Sequence, residues 1–390
     1  MFLAKTLLVA ATLGSLALAA PGAADGTHTT PIRAERVALA SGAQTPRVSS
    51  RARPLLRRIV RSLVRHGAPG ALAVVRTPTR IRRAASGLAN RHPRAGLRAT
   101  DRFRVASVTK PFVATLVLQL VAEGKVRLND TVEGRLPGLV PNGDAITIRE
   151  LLDHTSGLFD YTNDEALVGA AIANPGREWA PRELVAVATS HPPLHPPGKG
   201  WSYSNTNYIL LGLVIEAVTG TTLEHQLRER LFQPLALTRT SFPSGTQVEG
   251  RFVHGYIGPA TLPVAPGTLL DMSAALSPSW GWAAGGILSN GDDVTRFFAA
   301  LLGGRLLPRG LLSAMRTVAP GSEYGLGLMR TRTACGVAYG HLGDFTGYRS
   351  VVYARPNGRR VAVVMVNIDT THVSWYELET AAETAYCSRV

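Results

Sequence analysis

The chain has 390 residues, 45% hydrophobic and 18% charged, an ordinary globular composition that excludes disorder as the main state and leaves length for two or three structural units. Its net charge of +15 is unevenly spread: residues 33–104 hold 18 arginines against two acids, Glu35 and Asp101, and the rest of the chain is close to neutral. Phe103 is the one aromatic in that stretch, so the mixture of bases and aromatics that binds nucleic acid is missing. A solvated basic surface, or attraction to an anionic envelope polymer or lipid, is the reading that remains, with no nucleic-acid partner.

Residues 1–24 read as a signal peptide: Lys5, an apolar run from Leu7 to Ala20, and small residues at Ala17-Leu18-Ala19 and Gly22-Ala23-Ala24. Residues 25–50, rich in Ala, Ser, Thr and Arg without periodicity, read as a linker or pro-segment. No later run is long enough to span a bilayer, so a secreted protein without a membrane span is expected, extracellular or in the cell envelope. In an oxidising compartment the two cysteines, Cys335 and Cys387, are expected to form a disulfide.

From residue 51 onward the elements follow in order. Leu55, Leu56, Ile59, Val60, Leu63 and Val64 recur at helical spacing with arginines opposite, and Gly67 with Pro69 ends that helix. Strands are expected at 71–76 and 81–89, then helices at 108–123, 146–152, 182–189, 206–219, 223–231 and 291–302. Strands return at Tyr348–Ala354 and Arg360–Asn367 around the hairpin signal Pro356-Asn357-Gly358, before a last helix at 374–386. The pattern predicts one α+β domain over 51–390. An antiparallel sheet is built from both termini (51–105 and 316–390) and flanked by helices, with a mainly helical region, 106–315, inserted.

Three segments carry chemistry. Pro111 is tolerated only in the first turn of a helix, so the helix must begin close to Ser107, which places Lys110 one turn along on the same face. Only four lysines stand among 38 arginines, and an amine at 110 can exchange a proton where a guanidinium cannot. The second segment, Tyr203-Ser204-Asn205, offers a phenol that is a base or relay if cations lower its pKa, and an amide able to hold substrate or Lys110, or simply to cap the helix at 206–219. The third is His341-Leu342-Gly343, where the missing side chain at Gly343 would let substrate lie along the strand. His191 and His195 have metal-like spacing but are set among Pro192, Pro193, Pro196 and Pro197, and no metal or other cofactor is expected. His154 reads as a structural residue holding a loop at the site's rim.

In this order and spacing the segments resemble the penicillin-recognising serine enzymes, in the branch of class C β-lactamases, secreted D-alanyl-D-alanine carboxypeptidases, and related esterases and D-aminopeptidases. Phe103 to Lys110, Leu151 to Leu158, Pro197-Gly198, and Gly347-Tyr348 extend the likeness. The resemblance implies Ser107 as nucleophile and Lys110 with Tyr203 for proton transfer. It further implies Asn205 for positioning, His341 on the opposite wall, an oxyanion hole from the amides of Ser107 and Asp344, and Leu342 and Gly343 at the substrate. His-x-Gly is the carboxypeptidase form of the third motif, where β-lactamases of the branch usually carry Lys-Thr-Gly. A D-alanyl-D-alanine carboxypeptidase-like enzyme is the leading expectation, acting on a small peptide, ester or β-lactam. The alternatives are an esterase or class C-like β-lactamase, or a non-catalytic binder of penicillin or peptidoglycan. Leu342 departs from the usual threonine, whose hydroxyl holds a substrate carboxylate, and Asp344 adds a negative side chain nearby.

Overall fold

A computed structural model describes residues 52–388, apart from 175, 244, 246–247, 259–264, 266, 274–276 and 370–372. The expected signal peptide and linker, 1–24 and 25–50, lie outside the described residues. Helix α1 (Ala52–Arg65) buries Leu56, Ile59, Val60 and Leu63 and exposes Arg57, Arg58, Arg61 and Arg65, so its two-sided composition becomes a core face and a solvent face. Each such aliphatic side chain contributes about 1.5–3 kcal/mol of burial free energy.

The chain then forms β1 (Gly70–Arg76), β2 (Ile81–Arg91) and β3 (Arg94–Gly96), leaves the sheet, and returns as β4 (Met329–Thr333), β5 (Gly336–Phe345), β6 (Tyr348–Ala354) and β7 (Val361–Val366). The strand order is β3-β2-β1-β7-β6-β5-β4, antiparallel throughout. The two ends of the sequence meet at the β1–β7 pair, with Ala73 opposite Val364. These central strands are aliphatic at nearly every position because both faces are covered. Ala71, Ala73, Val75, Val364 and Val366 belong to the layer of α1 and the last helix, and Leu72, Val74, Val363 and Met365 to the large helical core.

That helical region contains α2 (Thr109–Ala122), α3 (Ile148–Asp153), α4 (Asn205–Thr219) and α5 (Gly291–Leu302), and α6 (Trp375–Cys387) closes the chain on the other face. Helix α2 is apolar all round and buried along most of its length, which makes it the axis on which the site is mounted. Among the described residues no single helix is long and apolar enough to cross a membrane.

Several boundaries differ from the sequence reading. Helix α3 starts two residues later because Thr147 and Glu150 form a capping box, and it stops where His154 turns left-handed at φ 65°. The helix expected at 223–231 is α-helical only to Leu227 and continues as a π-turn over Arg228–Phe232. Helices at Glu165–Ala173 and Arg309–Arg316 were not expected; the first has no apolar stripe, and its start is marked only by Asp164, whose carboxylate accepts from Leu167 N. The β6–β7 hairpin is longer than a two-residue turn: Gly358 N donates to Arg355 O at 2.8 Å, Pro356 and Asn357 are central, and Gly358 takes the left-handed position at φ 67°.

Candidate active site

The 3₁₀ turn Ala106–Val108 leads directly into α2 and carries Ser107. Ala106 is left-handed at φ 54°, an uncommon conformation for a residue with a side chain, and it stands immediately before Ser107. Strand β5 holds this turn from one side. A Cβ at position 343 would overlap Val105 O and Ser350 Oγ and lie 3.3 Å from Ala106 Cβ, so glycine is required for the strand to lie against the turn. This differs from the sequence expectation, in which the missing side chain made room for substrate.

What β5 offers to an incoming chain is decided by pairing parity. The two-residue turns Ala334-Cys335 and Thr346-Gly347 close on Thr333/Gly336 and Phe345/Tyr348 as hydrogen-bonded pairs. Odd-numbered residues of β5 therefore bond to β6, and even-numbered ones point toward β4. Strand β4 reaches only to Met329, opposite Gly340, so Leu342 and Asp344 have no partner strand on that side, and the Leu342 carbonyl accepts from the His341 ring instead. The Asp344 N–H lies on this edge.

Lys110 is fully buried, and its Nζ has three neighbours: Ser107 Oγ at 2.9 Å, Asn205 Oδ1 at 2.7 Å and Ala284 O at 2.8 Å. The last two can only accept. A neutral amine satisfies all three by donating twice and taking the Ser107 hydroxyl proton on its lone pair. Burial favours that state, lowering the Lys110 pKa from 10.5 to about 7, with Asp160 acting in the opposite sense. The pair is thus arranged so that the Lys110 amine can take the Ser107 hydroxyl proton.

Tyr203 stands beside Ser107, which draws its pKa down, but burial outweighs this and pushes the phenol well above the usual range, so no cation makes it a resting base and it stays protonated. Its ring packs on His154, tilted by 32° with centroids 4.3 Å apart. His154 holds the segment before α4, accepting at Nδ1 from Ser204 N (3.2 Å) and from Asn207 Nδ2 (3.1 Å). It does so from the fully buried floor of the site, not from its rim, and desolvation keeps it neutral. Helix α4 starts at Asn205 with Ser204 in the cap position, which leaves the Asn205 side chain for the site. Asn205 accepts from Lys110 and donates from Nδ2 to Asp160 Oδ2 at 2.9 Å.

On the opposite wall His341 is 2% exposed, its pKa lowered to about 3 chiefly by burial. Its Nδ1–H donates to Leu342 O at 2.5 Å, so Nε2 accepts the Tyr324 hydroxyl at 2.8 Å, and this wall carries no positive charge. Leu342 packs its side chain, with Cys335 and Cys387, on the cluster of α1 and α6. Asp344, two residues on and so on the same strand face, is opposite Arg349 in the register. Its carboxylate is open to solvent yet walled by protein, and the crowding raises its pKa to about 6 against the pull of Arg349. Cys335 and Cys387 are bonded, joining the end of α6 to the β4–β5 turn, six residues from His341.

Sequence reasoning missed Asp160, Tyr324 and the Ala284 carbonyl. Asp160 had a local signal, the Asx turn in which its Oδ1 accepts from Thr162 N at 3.1 Å; Tyr324 and Ala284 had none. His191 pairs with Asp164 at 2.8 Å and stacks on Phe159, and among the described residues no group of three His, Cys, Asp or Glu could hold a metal.

The family model described as Beta-lactamase matches residues 56–385, and the chain belongs to that family. It is a serine hydrolase of the β-lactamase and penicillin-binding-protein fold. It is 30% identical over 323 residues to Penicillin-binding protein 4 of Amycolatopsis lactamdurans, covering 77% of this chain and 81% of that one. Among solved structures it is similar to the D-stereospecific amidohydrolase from Streptomyces sp., with 35% identity, a TM-score of 0.77, and coverage of 87% of this chain and 99% of the other. It is also similar to the D-amino acid amidase from Ochrobactrum anthropi SV3, with 27% identity, a TM-score of 0.76, and coverage of 86% and 97%. Some curated relatives are longer: the chain spans 62% of one from Bacillus subtilis and 31% of one from Staphylococcus aureus.

Proposed function

We propose that the protein is an exported amidohydrolase that cleaves D-configured amides or esters with uncharged leaving groups through an acyl-Ser107 intermediate. The observation that carries the reaction is the buried Lys110 amine, its pKa lowered to about 7, lying 2.9 Å from Ser107 Oγ. Lys110 takes the hydroxyl proton as Ser107 Oγ bonds to the carbonyl carbon, and the oxyanion is held by the amides of Ser107 and Asp344, a contribution of about 3–4 kcal/mol in comparable sites. Tyr203 donates its proton to the leaving nitrogen or oxygen as that bond breaks and regains one from Lys110. Water then repeats the steps to release the acid.

The leaving-group preference follows from charge. Neutral His341 faces the site, and Leu342, its side chain packed away on the α1–α6 cluster, has no hydroxyl to offer a carboxylate; the loss of one hydrogen bond to a charged group costs about 1.5–3 kcal/mol. The D-configuration is supported by the likeness to a D-stereospecific amidohydrolase and a D-amino acid amidase. The test compares D-phenylalanine amide with an acyl-D-alanyl-D-alanine peptide in wild type and Ser107→Ala, with mass spectrometry of a trapped acyl-enzyme. Turnover in the Ser107→Ala variant refutes the nucleophile, and preference for the dipeptide favours the carboxypeptidase reading, which the His341-Leu342-Gly343 motif and the likeness to Penicillin-binding protein 4 support. Export rests on residues 1–24 and is tested by N-terminal sequencing of the protein from the medium. Envelope association is supported by Arg57, Arg58, Arg61 and Arg65 on the open face of α1. It predicts salt-sensitive retention on anionic vesicles, and retention that ignores salt refutes it.

A further inference from the structure

The loop that follows α3 places one buried carboxylate, Asp160, behind the catalytic amine. Asp160 is 5% exposed, and every hydrogen bond to it comes from a donor: Thr162 N at 3.1 Å and Thr162 Oγ1 at 2.9 Å to Oδ1, and Asn205 Nδ2 at 2.9 Å to Oδ2. Thr162 N and Asn205 Nδ2 can only donate, and together with the nearby Lys110 they favour the ionised carboxylate against the upward pull of burial on its pKa. The Asn205 amide lies between it and Lys110, with its oxygen 2.7 Å from Nζ. Were the amide turned over, its NH₂ would face the lysine and its oxygen would face the carboxylate, so Asp160 decides which end Lys110 meets. The segment cannot drift, because Tyr161 N donates to Thr206 Oγ1 at 3.2 Å, and Thr206 Oγ1 in turn donates to Phe159 O at 2.7 Å.

We propose that Asp160 is a positioning residue for acyl transfer: it fixes Asn205 with its oxygen toward Lys110, and it supplies the counter-charge for the ammonium that Lys110 becomes on taking the Ser107 proton. The other titratable groups packed around the amine carry no charge that could substitute. His154 on the α3 side and His341 on β5 are neutral, and Tyr203 and Tyr208 are protonated phenols whose rings lie 5.0 and 5.4 Å from Nζ. Among the described residues Asp160 is the one charged group acting on Lys110. The proton passes from Ser107 Oγ to Nζ and on to Tyr203; Asp160 gains and loses none.

The inference rests on Lys110 as base, and the experiment separates the two. Only four lysines occur in the chain, so ¹³Cε-lysine NMR resolves the Lys110 titration directly, alongside pH profiles of kcat and KM on a D-amino acid amide. In wild type the midpoint is expected near pH 7, with kcat rising through it. A wild-type amine that titrates near its ordinary value sinks the base assignment itself. In Asp160→Asn the midpoint should fall by about one unit or more, since a negative charge has gone from a buried site, and the plateau kcat should fall by roughly tenfold or more with KM little changed. A folded Asp160→Asn whose midpoint and acid limb stay at the wild-type pH overturns the proposal, because a merely structural residue would lower amplitude without moving the limb. Asp160→Glu keeps the charge but displaces the amide. It should hold the midpoint while kcat drops, and an undiminished kcat there overturns the positioning role even if the asparagine variant does not fold.

Discussion

Replacing Lys110 by arginine isolates proton transfer from charge. The side chain is enclosed by Ser107 Oγ, Asn205 Oδ1 and Ala284 O, all of which a guanidinium can satisfy as a donor, so the variant keeps the hydrogen bonds and the charge of the protonated lysine permanently but has no lone pair for the serine proton. With the wild-type pKa near 7, about nine-tenths of the amine is free at pH 8, whereas a lysine at its ordinary 10.5 would be free in only about three molecules per thousand. Burial therefore supplies roughly 300-fold more base at that pH, and removal of general-base catalysis altogether is worth about 100- to 10,000-fold. Stopped-flow release of nitroaniline from a D-amino acyl p-nitroanilide, with thermal unfolding as the fold control, should show acylation slowed at least ~100-fold and the acid limb near pH 7 abolished. Acylation within a few-fold of wild type in a folded Lys110→Arg would mean that Lys110 acts only through its charge.

Asp344, with its pKa raised to about 6, is neutral below that pH and anionic above it. The rate on acyl-D-Ala-D-Ala relative to a D-amino acid amide should therefore climb several-fold as pH falls through about 6, and Asp344→Asn should flatten that climb. Tyr324→Phe strips His341 Nε2 of its donor in a buried setting and should cost about 1–3 kcal/mol in urea unfolding; an unchanged midpoint would show that the bond contributes nothing. Paired Cys335→Ser and Cys387→Ser open a loop of 52 residues, for which chain entropy gives roughly 4 kcal/mol as an upper figure, and two titratable thiols in the denatured wild type would contradict the bond.

Much of the site was legible because its parts are local. Ser107 and Lys110 are one turn apart on a helix whose start Pro111 restricts, and lysine is scarce enough in this chain to stand out. The sheet ends and α1 were legible for the same reason, since periodicities of two and 3.6 residues are properties of consecutive residues. Short helices without an apolar stripe, such as Glu165–Ala173, were not, because tertiary packing and one aspartate cap stabilise them.

Charge states and handedness of contact belong to the tertiary structure. Sequence alone determined that a serine, a lysine, a tyrosine and a histidine of the right spacing exist. The fold decided that the Lys110 pKa falls to about 7, that Tyr203 is a protonated phenol and that His341 is an uncharged ring fixed by Tyr324, because desolvation depends on everything that surrounds a group and not on its neighbours in the chain. It likewise decided that Gly343 serves the approach of β5 to Ala106, and that Asp160 stands behind Asn205 across 45 residues of sequence. A side chain's chemistry is written in its identity; its protonation and its partners are set only when distant segments exclude water from around it.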